Sequence, residues 1–260
     1  MTTAQVPVGT LLRQWREHRR LSQADLSLQA DISTRHLSFV ETGRALPSRD
    51  MVLLLAESLD LPLRDRNRML LAAGFAPLFT QSSLDAPRMD AVGQAIRRAL
   101  HDHNPYPATV VDGSWRMVDA NAALHTLLTG IAPRLLTPPV NILRASLHPD
   151  GLAPRIVNLA QWREHVLCRL RRKIAFTADE SLGELYDELC SYPGDLPRPS
   201  PTAGEDVVVP LRLRGDDGEL AFVGTITTFG GAVDVTVSEL SIEALYPADE
   251  HTASVMRSRA

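Results

Sequence analysis

Between Ser22 and Gly43 the segment SQADLSLQADISTRHLSFVETG leaves room for two short helices and one tight turn. Ser22 followed by Asp25 is a capping-box-like helix start. Ser33 starts a second helix that runs to about Glu41, and Gly43 stops it where a left-handed residue is easiest for glycine. Small Ser27 lets the two helices pack closely, and Leu26, Ile32, Leu37 and Val40 form one apolar seam between them.

The flanks add three more helices. Leu11, Leu12 and Trp15 recur at helical spacing over residues 8–20. Pro47-Ser48 opens a fourth helix, Pro62 sits in the first turn of a fifth, and Gly74 ends it. Residues 1–78 are thus expected to form an all-α five-helix domain. Its central pair has the layout of a helix-turn-helix, whose second helix enters the DNA major groove.

On LSQADLSLQADISTRHLSFVETGRALPS and its flanking helices, the chain resembles the phage-repressor-like (XRE-type) helix-turn-helix family. It departs from that pattern twice. Asp31 stands where the turn commonly has glycine, although Asp tolerates left-handed backbone better than most residues. Ser27 replaces the usual alanine.

Roles follow from where residues fall on the two helices. Thr34, Arg35, Ser38 and Phe39 lie on the outer face of the second helix. Arg35 suits a bidentate pair with guanine, and Thr34 or Phe39 a thymine methyl. Gln23, at the start of the first helix, is placed for a phosphate, and Arg44 and Arg49 add phosphate contacts. The bland alternative makes Phe39 core and Arg35 a solvated charge. The resemblance implies DNA contact for Thr34 and Arg35. It also implies a buried ion pair between Arg16 and Glu41, and a homodimer on a roughly palindromic double-stranded operator.

Charge agrees with this placement. The chain carries a formal net charge of −4, but residues 1–78 hold ten Arg against eight Asp and Glu. The acidic excess therefore lies in the remainder, which leaves any nucleic-acid surface in the first third. No apolar run approaches the roughly 20 residues that cross a bilayer. The N-terminus lacks a signal-peptide pattern, so a cytoplasmic protein with no membrane partner is expected. Cys168 and Cys190 have no CxxC partner and read as free thiols.

Residues 79–87 (FTQSSLDAP) read as a linker, and 88–260 as an α+β domain. Its expected elements are a helix at Met89–His101, strands at Ala108–Val111 and Arg116–Asp119 around the turn Asp112-Gly113, and a short helix at Asn121–Leu128. Long helices follow at Arg155–Phe176 and Glu180–Tyr192, then a proline-rich loop at 193–201. Strands at Asp206–Leu213, Glu219–Phe229 and Val233–Tyr246 complete it.

This part resembles the ligand-binding domain of MmyB-like transcription regulators. The landmarks are HNPYPA (103–108), Asn121-Ala122-Ala123, Asn141-Ile142-Leu143-Arg144, HPDGL (148–152), Arg155-Ile156-Val157-Asn158, Phe229-Gly230, Asp234-Val235-Thr236 and Pro247-Ala248-Asp249. The resemblance implies a PAS-like fold and a lipophilic, fatty-acid-like ligand. An apolar cavity of that kind has Val110, Trp115, Leu124, Leu128, Trp162, Val166, Leu185, Phe222, Ile226 and Phe229 as candidate lining residues, each of which taken singly reads more readily as ordinary core. Arg144, Arg155 and Arg169 each suit a ligand carboxylate or an ion pair, and the sequence does not choose.

Motifs for catalysis are missing: no GxSxG, P-loop, GxGxxG or HExxH occurs. His101-x-His103 has no further ligand at zinc-like spacing, so neither a metal site nor an enzyme is expected. Two other function classes stay open, a ligand-independent regulator that dimerises or recruits a protein, and an antitoxin-like DNA-binding protein.

Overall fold

The computed structural model describes residues 6–194 and 208–259. The chain divides into two compact units, one comprising Met1–Ser82 with Ala232–Ser238, the other Ser83–Gly231 with Glu239–Ala260.

Unit 1 carries α1 (Val8–His18), α2 (Gln23–Gln29), α3 (Thr34–Glu41), α4 (Arg49–Ser58) and α5 (Leu63–Ala72). Ser22, Ser33 and Ser48 each accept a backbone N–H at a helix start, and Ser22 with Asp25 completes a capping box. Asp31, in the turn between α2 and α3, is left-handed at φ 50°. Leu12, Leu26, Leu37, Val40, Leu55 and Leu70 form the centre of one buried cluster. Each such side chain contributes about 1.5–3 kcal/mol of burial. Gly9 lets α1 lie directly on the end of α3, since a Cβ there would come within 2.3 Å of the Val40 carbonyl oxygen.

Unit 2 opens with α6 (Asp90–Asp102), then β1 (Ala108–Val111), β2 (Met117–Ala120), α7 (Ala122–Leu127), α8 (Ile142–Leu147), α9 (Leu159–Thr177) and α10 (Glu180–Ser191). Next come β3 (Leu211–Gly215), β4 (Gly218–Thr228), β5 (Ser241–Pro247) and α12 (Glu250–Ser258), while α11 (Val235–Glu239), between β4 and β5 in the chain, belongs with unit 1 except for its last residue. The strands form one antiparallel sheet in the order β2-β1-β5-β4-β3. This is an α+β, PAS-like arrangement with β5 at its centre.

Alternation along the strands sorts side chains onto two faces. On the outer face Ala108, Val110, Ile242 and Ala244 pack against Ile96 and Leu100 of α6. On the inner face Val111, Leu213, Leu220, Phe222 and Leu245 join the large cluster built from α7 to α10 and α12.

Two landmark asparagines hold the chain between elements. Buried Asn121 accepts the N–H groups of Ala108 and Leu124 and donates to the carbonyls of Tyr106 and Leu100. Asn141 caps α8 by accepting from Leu143 and Arg144 while donating to Ser114. Each spends its buried amide on backbone groups, accepting twice through the oxygen and donating through the nitrogen, which is what makes it tolerable there.

Three expected elements differ. The helix expected from Arg155 starts at Leu159, because Asn158 uses its side chain on Pro210 and Arg212 beside β3. Among the described residues the strand expected from Asp206 begins at Leu211, just after Pro210, which has no N–H for a ladder. Residues 206 and 207, and most of the expected 193–201 loop, lie outside the described residues. Val233–Tyr246 is not one strand but α11 followed by β5. Asp234 accepts the Thr236 N–H and turns the chain into a helix. Helices α8 and α12 were not anticipated.

Candidate DNA-reading helix and ligand unit

In α3, Thr34 and Arg35 are exposed, while Ser38 and Phe39 are half-buried. Phe39 sits between two cations, with the Arg35 guanidinium 5.3 Å and that of Arg44 5.9 Å from its ring centre. It is therefore neither plain core nor a free reader. Its ring holds one arginine from the helix and one from the loop after it on the same surface. Thr34 Oγ1 lies 2.9 Å from Ser27 Oγ, which fixes the helix start against α2. Arg49 is exposed at the start of α4.

Gln23 is placed differently from the phosphate role expected for its side chain. Its amide donates to Glu41 at 2.8 Å. Glu41, whose side chain is 2 % exposed, also accepts from Arg16 Nε at 2.6 Å and Nη2 at 3.0 Å. Arg16 Nη1 donates to the Leu21 carbonyl. One carboxylate thus ties α1, α2 and α3, and its hydrogen bonds hold the Arg16 guanidinium protonated above the usual range.

Of the expected ligand-lining residues, Trp115, Leu124, Leu128, Trp162, Val166, Leu185 and Phe222 fall in the inner-face cluster. Val110 and Phe229 belong to the α6 side of the sheet, so they do not share a space with the others. Ile226 is 51 % exposed and lies in neither cluster. A hollow of about 300 Å³ in unit 2 is lined by Asn104, Pro105, Ala122, Ala123, Thr126, Met256 and Arg259, none of them among those expected.

The three arginines left open by the sequence each have an internal partner. Arg144 grips Glu188 through Nε and Nη2, and Tyr192 donates to the same carboxylate. This holds the Glu188 carboxyl below its ordinary range, and burial together with Glu188 pushes the Tyr192 phenol up. Arg155 donates to the carbonyls of Leu127 and Thr129. Arg169 donates to Glu243 Oε1 at 2.6 Å. The indole N–H of Trp115 donates to that same oxygen at 3.0 Å.

Sequence reasoning missed Arg163 and Glu243. Arg163, 2 % exposed, donates to the carbonyls of Leu189, Cys190 and Tyr192 and so closes the C-terminal end of α10. Nothing in its helical surroundings announces that. Glu243 did leave a signal, an acid in the middle of the apolar strand SIEALYP. Cys168 and Cys190 are both free. Among the described residues no group of His, Cys, Asp and Glu is arranged to hold a metal ion, and no helix is long and apolar enough to cross a membrane.

A family model described as the MmyB-like transcription regulator ligand binding domain matches residues 92–258. A helix-turn-helix domain model matches residues 7–69. No curated protein matches the sequence. Among solved structures, a point variant of the protein RsLOV aligns at 15% identity and a TM-score of 0.30, over 64% of this chain and 76% of that one. An RNA-binding light-oxygen-voltage receptor aligns at 17% identity and a TM-score of 0.29, over 96% of this chain and 60% of its own.

Proposed function

Because the chain belongs to the MmyB-like transcription regulators, we propose that a small lipophilic, fatty-acid-like ligand in unit 2 sets how tightly unit 1 holds a specific operator. A helix-turn-helix joined to this ligand-binding domain makes the protein a ligand-responsive, DNA-binding transcription regulator. The observation that carries the reading of unit 1 is the surface of α3, where exposed Thr34 and Arg35 stand beside Phe39 and Arg44. One such helix covers few base pairs, so the protein acts as a homodimer on two half-sites about one or more helical turns apart.

A route for the signal lies in the connectivity. The chain between β4 and β5 leaves unit 2 and contributes residues 232–238 to unit 1. There Asp234 accepts from Thr80 Oγ1 at 3.0 Å and from Ser82 Oγ at 2.5 Å, while Thr236 Oγ1 donates back to the Ser82 carbonyl at 2.7 Å. A ligand that shifts β4 or β5 therefore pulls on the segment following α5.

The test is mass spectrometry of the purified protein for a co-purified lipophile, followed by thermal unfolding of delipidated protein with an acyl panel. Binding to the native state alone raises the melting temperature. An unchanged melting temperature across the panel, with nothing co-purified, removes the ligand from this reading.

A further inference from the structure

After α5 the chain reverses at Gly74, whose φ is 83°, and the segment that follows comes back along the helix. Asn67 of α5 holds it there. Its side-chain oxygen accepts the N–H groups of Leu78 and Phe79, and its nitrogen donates to the Phe79 carbonyl at 2.6 Å. A little further on, Thr80 pairs with Asp234, and the Val235 N–H donates to the Thr80 carbonyl at 2.8 Å. The segment is therefore fixed twice, once to α5 and once to the start of α11.

A second hollow, of about 480 Å³, lies along it and is formed wholly by unit 1. That is within the usual size of small-molecule sites. From α5 it takes Arg64, Asn67, Arg68 and Leu71, spaced i, i+3, i+4 and i+7, which is one face of a helix. Apolar surface comes from Leu71, from Pro77, Leu78 and Phe79 of the segment, and from buried Val235. Leu71 and Leu78 are both nearly half exposed, so apolar surface on the helix and on the segment is left in water.

The polar part of the lining is cationic. Arg64 Nη1 donates across to the Gln81 side-chain oxygen at 3.4 Å, and Arg68 Nη1 donates to Asp65 at 3.1 Å. Each guanidinium has five N–H donors, so one such bond does not exhaust it. Among the described residues that line the hollow there is no Asp or Glu. Asp234, next to Val235, is taken up by Thr80, Ser82 and the Thr236 N–H.

We propose that this hollow is a binding site in unit 1 for a compact amphipathic monoanion, an aromatic carboxylate in class. Its carboxylate meets Arg64 and Arg68, where charge-assisted and bidentate bonds are strongest. Its ring covers Leu71, Leu78 and Phe79. The site is separate from the lipophile of unit 2 and does not rest on it. An occupant bridges α5 to the segment and to Val235, so it also braces the bonds between Thr80 and Asp234.

The experiment titrates cinnamate and its neutral counterpart cinnamamide into full-length protein at neutral pH by calorimetry. Cinnamate binds about tenfold or more tighter than the amide. Arg64→Gln, at an exposed position, lowers cinnamate affinity about tenfold and leaves that of the amide unchanged. Leu71→Glu, also exposed, places a carboxylate in the hollow and weakens cinnamate by at least as much. Hydrogen exchange supplies a readout that needs no variant, since cinnamate slows exchange in peptides covering residues 77–82 and 232–238. Equal binding of acid and amide, or no binding of cinnamate, overturns the proposal. An affinity unchanged in either variant, or slowing confined to unit 2, puts the anion elsewhere and overturns it as well.

Discussion

Glu41 receives Arg16 side-on, through Nε at 2.6 Å and Nη2 at 3.0 Å, with almost no solvent reaching either group. Removing one partner of such a pair strands the other. Glu41→Ala is expected to cost roughly 3–5 kcal/mol, while Arg16→Met with Glu41→Leu recovers much of it. A double-mutant cycle by denaturant unfolding checks this, and a coupling energy near zero contradicts it. Gln23→Ala should cost less, since Glu41 keeps both arginine bonds.

Arg35 and Arg44 share the Phe39 ring but differ in reach. Arg35→Ala is expected to cost about 1–3 kcal/mol on the operator and to relax preference at one base position. Arg44→Ala should weaken all sequences alike and reduce the salt slope by about one phosphate. Phe39→Ala, which removes the platform for both, should show the two effects together. Binding assays on operator and random DNA at several salt concentrations separate these outcomes.

The helix-turn-helix was legible because its signals are local. Ser22, Ser33 and Gly43 mark helix ends whatever surrounds them, and the Asp31 turn follows from intrinsic backbone preference. Strand pairs in unit 2 were legible for the same reason, the turn at Gly215–Gly218 among them. What escaped depends on distant partners. Asp234 converts an expected strand into α11 through hydrogen bonds to its own backbone neighbour and to Ser82, far away in sequence. The ligand list mixed Val110 and Phe229 with residues on the opposite sheet face, because which face is which depends on where α6 packs. Arg144, Arg155 and Arg169 looked alike in sequence, and only their partners tell them apart.

The Arg144–Glu188–Tyr192 cluster gives unit 2 a pH response. Glu188 is held below its unfolded value, so its contribution is present above that value, about 4.3, and is lost as pH falls through the lower folded one. Urea midpoints of unit 2 should therefore drop below about pH 4, and Arg144→Met should flatten that drop. Equal acid sensitivity in both proteins would remove the cluster as its source.

Asp234 offers a way to separate sensing from binding. Asp234→Ala removes the acceptor for Thr80 and Ser82 and leaves α3 and the Glu243 cluster untouched. Operator affinity without ligand and ligand affinity without operator should each stay near those of the natural sequence. The effect of ligand on operator affinity should fall sharply. If the two remain linked as before, the signal takes another route.

The most direct measurement starts from a random double-stranded DNA pool, selected with full-length protein in parallel delipidated and loaded with its co-purified or best-binding lipophile. The expected result is one enriched, roughly palindromic sequence whose affinity differs about tenfold or more between the two preparations, a coupling of about 1.4 kcal/mol. The same affinity in both preparations, or no enriched sequence in either, would contradict control of a DNA-binding unit by a ligand-binding one.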